Sequence, residues 1–108
     1  QITKVLSKYD INVETALWGQ ECLEKVRKKQ KYDLILLDED MPRLNGIKTF
    51  EKLKIEDGFN IPVVIMINSN HIDYKERYMY NGFSGCIVKP IKKTDIDKLM
   101  RKFIKLDE

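Results

Sequence analysis

The sequence predicts an α/β domain built on a doubly wound parallel sheet. Three observations point to it. Leu34 to Leu37 and Val63 to Ile67 are continuous apolar runs, the pattern of strands covered on both faces. Segments with apolar residues three and four apart, the helical period, stand before, between and after these runs. A shorter apolar run, Cys86 to Val88, repeats the alternation. Strands separated by crossover helices pair in parallel, which places helices on both faces of one twisted sheet.

Each element follows in turn. Ile2, Val5, Leu6 and Tyr9 recur at helical intervals, and Ile11 to Leu17 then alternates as a strand with Val13, Thr15 and Leu17 on one side. After Gly19, Leu23 and Val26 mark a second helix, and Lys31, Tyr32 and Asp33 lead into the strand of Leu34 to Leu37. Beyond Gly46, Ile47, Phe50 and Leu53 show helical spacing that ends near Gly58. Pro62 opens the second two-sided strand. His71 to Tyr80 has a helical period in polar and aromatic residues, stopped by Asn81 and Gly82. After Cys86 to Val88, the residues Ile96, Leu99, Met100, Phe103 and Ile104 form the apolar stripe of a last helix. Thr94 is its expected N-cap, three residues before Asp97. The full order is α-β-α-β-α-β-α-β-α.

With 108 residues, 43% of them hydrophobic, the chain fits one domain with a real apolar core. No uncharged apolar run is long enough to span a membrane, and the start lacks the order of a signal peptide, so no membrane association and a cytoplasmic setting are expected. Cys22 and Cys86 are far apart and form no C-x-x-C pair, so both read as reduced, buried small residues. The 20 Lys and Arg against 17 Asp and Glu are spread over every segment, as on solvated helix faces, and no direct nucleic-acid contact is expected.

The stretch LILLDEDMPRLNG, residues 34–46, carries three consecutive acids out of an apolar strand. Adjacent carboxylates repel one another and lose hydration on burial, so the arrangement calls for a cation or a reaction. In open α/β sheets reactive groups gather beyond the C-terminal strand ends. Asp38 ends one strand, Ile67 and Asn68 the next, and Lys89 the last, so three segments point at one rim.

Two motifs, YDLILLDEDMPRLNG and GFSGCIVKP, make the chain resemble the receiver domain of two-component response regulators over essentially all 108 positions. The resemblance implies a flavodoxin-like fold with strand order 2-1-3-4-5. It implies that Asp38 is the phosphoacceptor, attacking the phosphorus of a phosphohistidine to give an acyl phosphate. Asp40 then lends its backbone carbonyl to Mg²⁺ beside Asp38, and Lys89 contacts first the Asp38 carboxylate and afterwards the phosphoryl group. Met41 and Pro42 shape the loop, Gly46 is structural, and Pro90 follows a cis peptide. Glu39 reads as a solvated neighbour, His71 as a surface residue, and Tyr74, Tyr78 and Tyr80 as coating a helix or a contact face. The implied partners are a histidine kinase or phosphotransfer protein, a fused output or kinase domain, and a second copy. The homodimer would form through the face of the fourth and fifth helices and the fifth strand, lined by Tyr78, Tyr80 and Lys92.

Three departures from the family pattern modify these expectations. The family's first strand and the two acids that end it are absent from this chain, making 1–108 an N-terminally incomplete receiver with weak or no Mg²⁺ binding. Ile67 stands where a Ser or Thr hydroxyl normally bonds the phosphoryl group; Asn68 or Ser69 would replace it only if the strand ran one or two residues further, and the count back from Lys89 argues against that. Cys86 stands where an aromatic switch residue is common. Two other readings therefore stand beside phosphoacceptance: a degenerate pseudo-receiver that acts only as a docking scaffold, and a phosphatase of the haloacid-dehalogenase type. In the second, Asp38 is the nucleophile and Asp40 a general acid, but Met41 and Pro42 replace the Gly-Thr usual after that motif. As an isolated acceptor the domain is not expected to be a turnover enzyme.

Overall fold

The computed structural model describes residues 19–28, 32–40 and 45–104. The helix expected at 2–9, the strand at 11–17, and Met41 and Pro42 lie outside them. Within the described residues the chain runs through α1 (Gly19–Arg27), β1 (Ile35–Asp38), α2 (Gly46–Lys54) and β2 (Val63–Ile67). It continues through a 3-10 segment (Ser69–Tyr74), α3 (Lys75–Tyr80), β3 (Gly85–Val88) and α4 (Lys93–Leu99), which ends in a π turn (Met100–Ile104). The three strands form a parallel sheet in the order β1-β2-β3, which matches the last three strands of the expected order.

Alternation along each strand divides the apolar residues cleanly between two faces. Ile35 and Leu37, Val63, Ile65 and Ile67, and Cys86 and Val88 meet Cys22 and Leu23 of α1, Phe50 and Leu53 of α2, and Tyr78 of α3. Leu36, Val64 and Ile87 turn the other way, onto Ile96, Leu99 and Met100. Both faces of β2 are therefore buried, which is why Val63 to Ile65 are apolar without a break. Burying each such side chain stabilises the fold by about 1.5–3 kcal/mol. The two clusters clamp β2 in place and fix where its C-terminal end opens.

Local chemistry sets the helix ends. Asn45 caps α2 by accepting the Lys48 N–H at 2.9 Å, and its carbonyl accepts the buried Thr49 hydroxyl at 2.8 Å. The cap of α4 differs from the expectation of Thr94. The helix begins two residues earlier in sequence, with Lys92 at the N-cap, and the Asp95 carboxylate accepts the Lys92 N–H at 3.0 Å. An acid reaching back from the third helical position is the half of a capping box that needs no hydroxyl. The single helix expected over 71–80 is also interrupted. His71 has φ −108° and ψ 19°, outside the helical region, and α helix resumes only at Lys75. The cause lies in the site, where Asn68 and His71 are held by a distant carboxylate.

Candidate functional site

The ladder continues one residue past the strands and sets the rim. The Glu39 N–H donates to the Met66 carbonyl at 3.0 Å, and the Lys89 N–H to the Ile67 carbonyl at 2.8 Å. In register, Asp38 pairs with Met66, and Met66 with Ile87. Paired residues share a face, and Lys89 lies two positions beyond Ile87, so strand parity carries Lys89 to the side of the sheet that holds Asp38.

The side chains meet there. Lys89 Nζ lies 3.0 Å from Asp38 Oδ1 and 3.2 Å from Oδ2. Both side chains keep about a third of their exposure, 34% for Asp38 and 30% for Lys89, so the carboxylate is paired yet reachable. The Asp40 N–H also donates to Asp38 Oδ1 at 2.9 Å, which fixes the carboxylate from behind. Asp40 is exposed, and its Oδ2 accepts a hydrogen bond from the Asn68 side-chain amide. The Lys89–Pro90 peptide is cis.

Gly46 is buried where α2 starts, against the end of β1. A Cβ placed on it would lie 2.6 Å from the Asp38 carbonyl oxygen and 3.0 Å from Glu39 Cα. Its N–H donates to the Glu39 carbonyl at 3.2 Å. The absence of a side chain lets the helix start pack directly on the acidic segment.

Glu39 corrects the sequence expectation. It is not a solvated neighbour: only 6% of it is exposed. Parity again gives the reason, because Glu39 is two residues beyond Leu37 and turns into the same apolar face. Its carboxylate accepts three hydrogen bonds there. Oε1 takes the Asn68 backbone N–H at 2.7 Å and faces His71 Nδ1 at 2.7 Å, while Oε2 takes the Tyr78 hydroxyl at 2.5 Å. Burial alone pushes the Glu39 carboxyl up, but the bonds from Asn68, Tyr78 and His71 outweigh it and hold the group below its ordinary value. Burial and the facing carboxylate raise the Tyr78 hydroxyl far above the usual tyrosine range.

Two further expectations are corrected by the same contacts. His71 is half-buried and bonded to Glu39 rather than a free surface residue. Tyr78 is 4% exposed and packs edge-on against Phe83, so it cannot line an outer face, whereas Tyr80 is 92% exposed. At the two atypical positions, Ile67 is the last residue of β2 and lies wholly within the apolar cluster. Cys86 is half-buried against that cluster, its thiol pushed up by burial. The strand thus ends where the count back from Lys89 puts it. Asn68, one residue later, nevertheless brings its amide back to the acids.

The family model for the response regulator receiver domain matches residues 1–101. The chain belongs to that family. Among the curated relatives of this receiver domain is the two-component response regulator ARR6 of Arabidopsis thaliana, 29% identical over 98% of this chain and 54% of its own length. The osmosensing histidine protein kinase SLN1 of Saccharomyces cerevisiae is 26% identical over 85% of this chain and 8% of that protein. The autoinducer 2 sensor kinase/phosphatase LuxQ of Vibrio vulnificus is 30% identical over 86% and 11%. The chain therefore spans about half, or far less, of the curated relatives it matches. Among solved structures, the receiver domain of the sensor histidine kinase PA1611 from Pseudomonas aeruginosa, which has a magnesium ion coordinated in its active site cleft, aligns with a TM-score of 0.83. It shares 19% identity and covers 97% of this chain and 86% of its own. The receiver domain of NtrX from Brucella abortus aligns at 0.84 and 19% identity, over 98% and 88%. The flavodoxin-like receiver fold is thus the fold of this chain. Among the described residues no helix is long and apolar enough to cross a membrane.

Proposed function

We propose that this receiver domain takes a phosphoryl group onto Asp38 from the phosphohistidine of a histidine kinase or phosphotransfer protein, and that acceptance changes a protein-binding face. The observation that carries the reading is the Asp38–Lys89 pair, 3.0 Å apart at the open end of the sheet and reachable from solvent. In the transfer an Asp38 oxygen bonds to phosphorus as the phosphorus–nitrogen bond breaks, and the departing imidazole keeps the electron pair. Lys89 holds the carboxylate in place beforehand and turns its remaining N–H donors to the phosphoryl oxygens afterwards.

Mg²⁺ fits the donors present. It takes one or two carboxylates together with phosphate oxygens and water, and Asp38 with the backbone carbonyl of Asp40 supplies hard oxygens of that kind. Bound there, it would neutralise charge on the transferring group.

The same reading takes 1–108 as one receiver unit in the cytoplasm, either on its own or as the receiver segment of a longer chain with a kinase or output domain. Any pairing of two copies through α3, β3 and α4 would use Tyr80 and Lys92, both exposed, and not the buried Tyr78. A second reading, a docking scaffold that takes no phosphate, is favoured by the buried Ile67, which offers no hydroxyl to the site.

Incubation with acetyl phosphate and Mg²⁺, followed by intact mass, separates the two. One added phosphoryl group on the protein, and none on Asp38→Asn or in the presence of a chelator, is expected. An unchanged mass leaves the scaffold.

A further inference from the structure

We propose that Glu39 is the positioning residue that couples the phosphoacceptor to the segment 69–80, in place of a hydroxyl at Ile67. The proposal rests on the phosphoacceptor reading above and concerns how that site is read out.

Three observations converge on Glu39. Its carboxylate is buried, directly follows Asp38, and spends all three of its hydrogen bonds on Asn68, His71 and Tyr78. The segment it holds has little else to hold it. Of residues 69–80 only Tyr78 is buried, while Ile72, Tyr74, Met79 and Tyr80 expose large apolar surfaces. The segment also contains its own break, the non-helical backbone at His71 inside the 3-10 segment. A segment with a break of its own, tied to the acidic strand end through Glu39 and Asp40, has the makings of a two-position element.

Charge supplies the drive. Phosphorylation turns the singly charged Asp38 carboxylate into an acyl phosphate with up to two charges, a net gain of about one negative charge beside Glu39 and Asp40, and draws Lys89 toward the phosphoryl oxygens. Glu39 and Asp40 are then pushed apart from Asp38, and both are tied to the segment that begins at Asn68. Their displacement moves the 3-10 turn and α3 together, and with them the exposed apolar side chains. Ile67 takes no part, because its side chain lies in the apolar cluster.

Hydrogen exchange of the whole chain, read by mass spectrometry with and without acetyl phosphate and Mg²⁺, tests this when the phosphoryl content is measured by intact mass on the same samples. In the native protein, phosphorylation is expected to change exchange in peptides from 69–80. In Glu39→Gln the phosphoryl group is still taken up, but the phosphorylation-dependent change in those peptides falls severalfold. Tyr78→Phe, which keeps the ring against Phe83 and removes one bond to Glu39, gives a smaller loss of the same kind. The comparison is made at labelling times at which 69–80 of the free variants is still partly protected, so that a segment merely loosened by the substitution does not mimic a lost response. A full native-sized change in both variants overturns the proposal, as does a native protein that takes up phosphate with 69–80 unmoved. A native protein that takes up no phosphate overturns the phosphoacceptor reading and this proposal with it.

Discussion

Asp38, Glu39 and Asp40 sit next to one another in the chain but each finds a different neighbourhood, and that division makes three adjacent acids tolerable. Asp38 meets an ammonium, Glu39 meets three donors inside the fold, and Asp40 faces solvent with an amide on one oxygen. The pleat separates 39 from 38 and 40 before any partner is considered. Lys89 is then the only described cation paired with Asp38. A charge-assisted hydrogen bond is worth about 1.5–3 kcal/mol, and about 1.4 kcal/mol is tenfold in rate. Lys89→Ala is accordingly expected to slow phosphorylation from acetyl phosphate by roughly ten- to a hundredfold, measured as the rate of mass gain. Lys89→Arg does not restore it, since a planar fork cannot pass from carboxylate to phosphoryl as a compact ammonium does. A native-like rate in Lys89→Ala would remove Lys89 from the site. Asp38 and Lys89 were legible because both end strands whose apolar runs are unmistakable. Glu39 was not, although counting two residues on from Leu37 puts it inside; its partners His71 and Tyr78 lie 32 and 39 residues away in the chain, beyond the reach of any local pattern.

Elements transmit these placements through their ends. Where α2 begins, Asn45 supplies the cap and Gly46 the space, so the helix butts onto the carbonyls of Asp38 and Glu39. All the atoms nearest a Cβ on Gly46 are backbone, which cannot rotate aside as a side chain would. Gly46→Ala is therefore expected to destabilise by about 1–3 kcal/mol, lowering Tm by roughly 4–8 °C for each kcal/mol. It should also slow phosphorylation, because the backbone that must yield carries the phosphoacceptor. A melting curve and a phosphorylation rate on the same sample check both; loss of stability with an untouched rate would mean that α2 moved and the strand end did not. Element types were readable from period and apolar runs, and their ends less so. Thr94 looked like a cap because it is a hydroxyl before an apolar stripe, yet the backbone of Lys92 closes on the Asp95 carboxylate first. The segment 69–80 has helical spacing throughout, and nothing local in it marks the break at His71, whose ring and the nearby Asn68 N–H are both bonded to the distant Glu39.

At the scale of the molecule, the two apolar clusters hold β2 between them, and Glu39 is the charged group admitted to one of them. That admission links the stability of the fold to pH. The Glu39 carboxyl lies below the ordinary glutamate value in the folded chain, because the hydrogen bonds from Asn68, Tyr78 and His71 outweigh the cost of burial. A carboxyl held lower when folded than when unfolded binds its proton more readily in the unfolded chain. Its contribution is therefore fully present above the unfolded value and is lost as pH falls through the folded one. Other carboxylates titrate in the same window, so the informative quantity is the difference in Tm between the native protein and Glu39→Gln. That difference is expected to be constant near neutrality and to shrink once pH drops below about 4.5, as Glu39 takes up a proton and comes to resemble the amide. Melting curves from neutral to acid pH give it directly. A difference that stays constant to the lowest pH at which the chain folds would mean that Glu39 is not held as an ion by its three donors, and the tie between the acidic segment and 69–80 would then be no stronger than a neutral hydrogen bond.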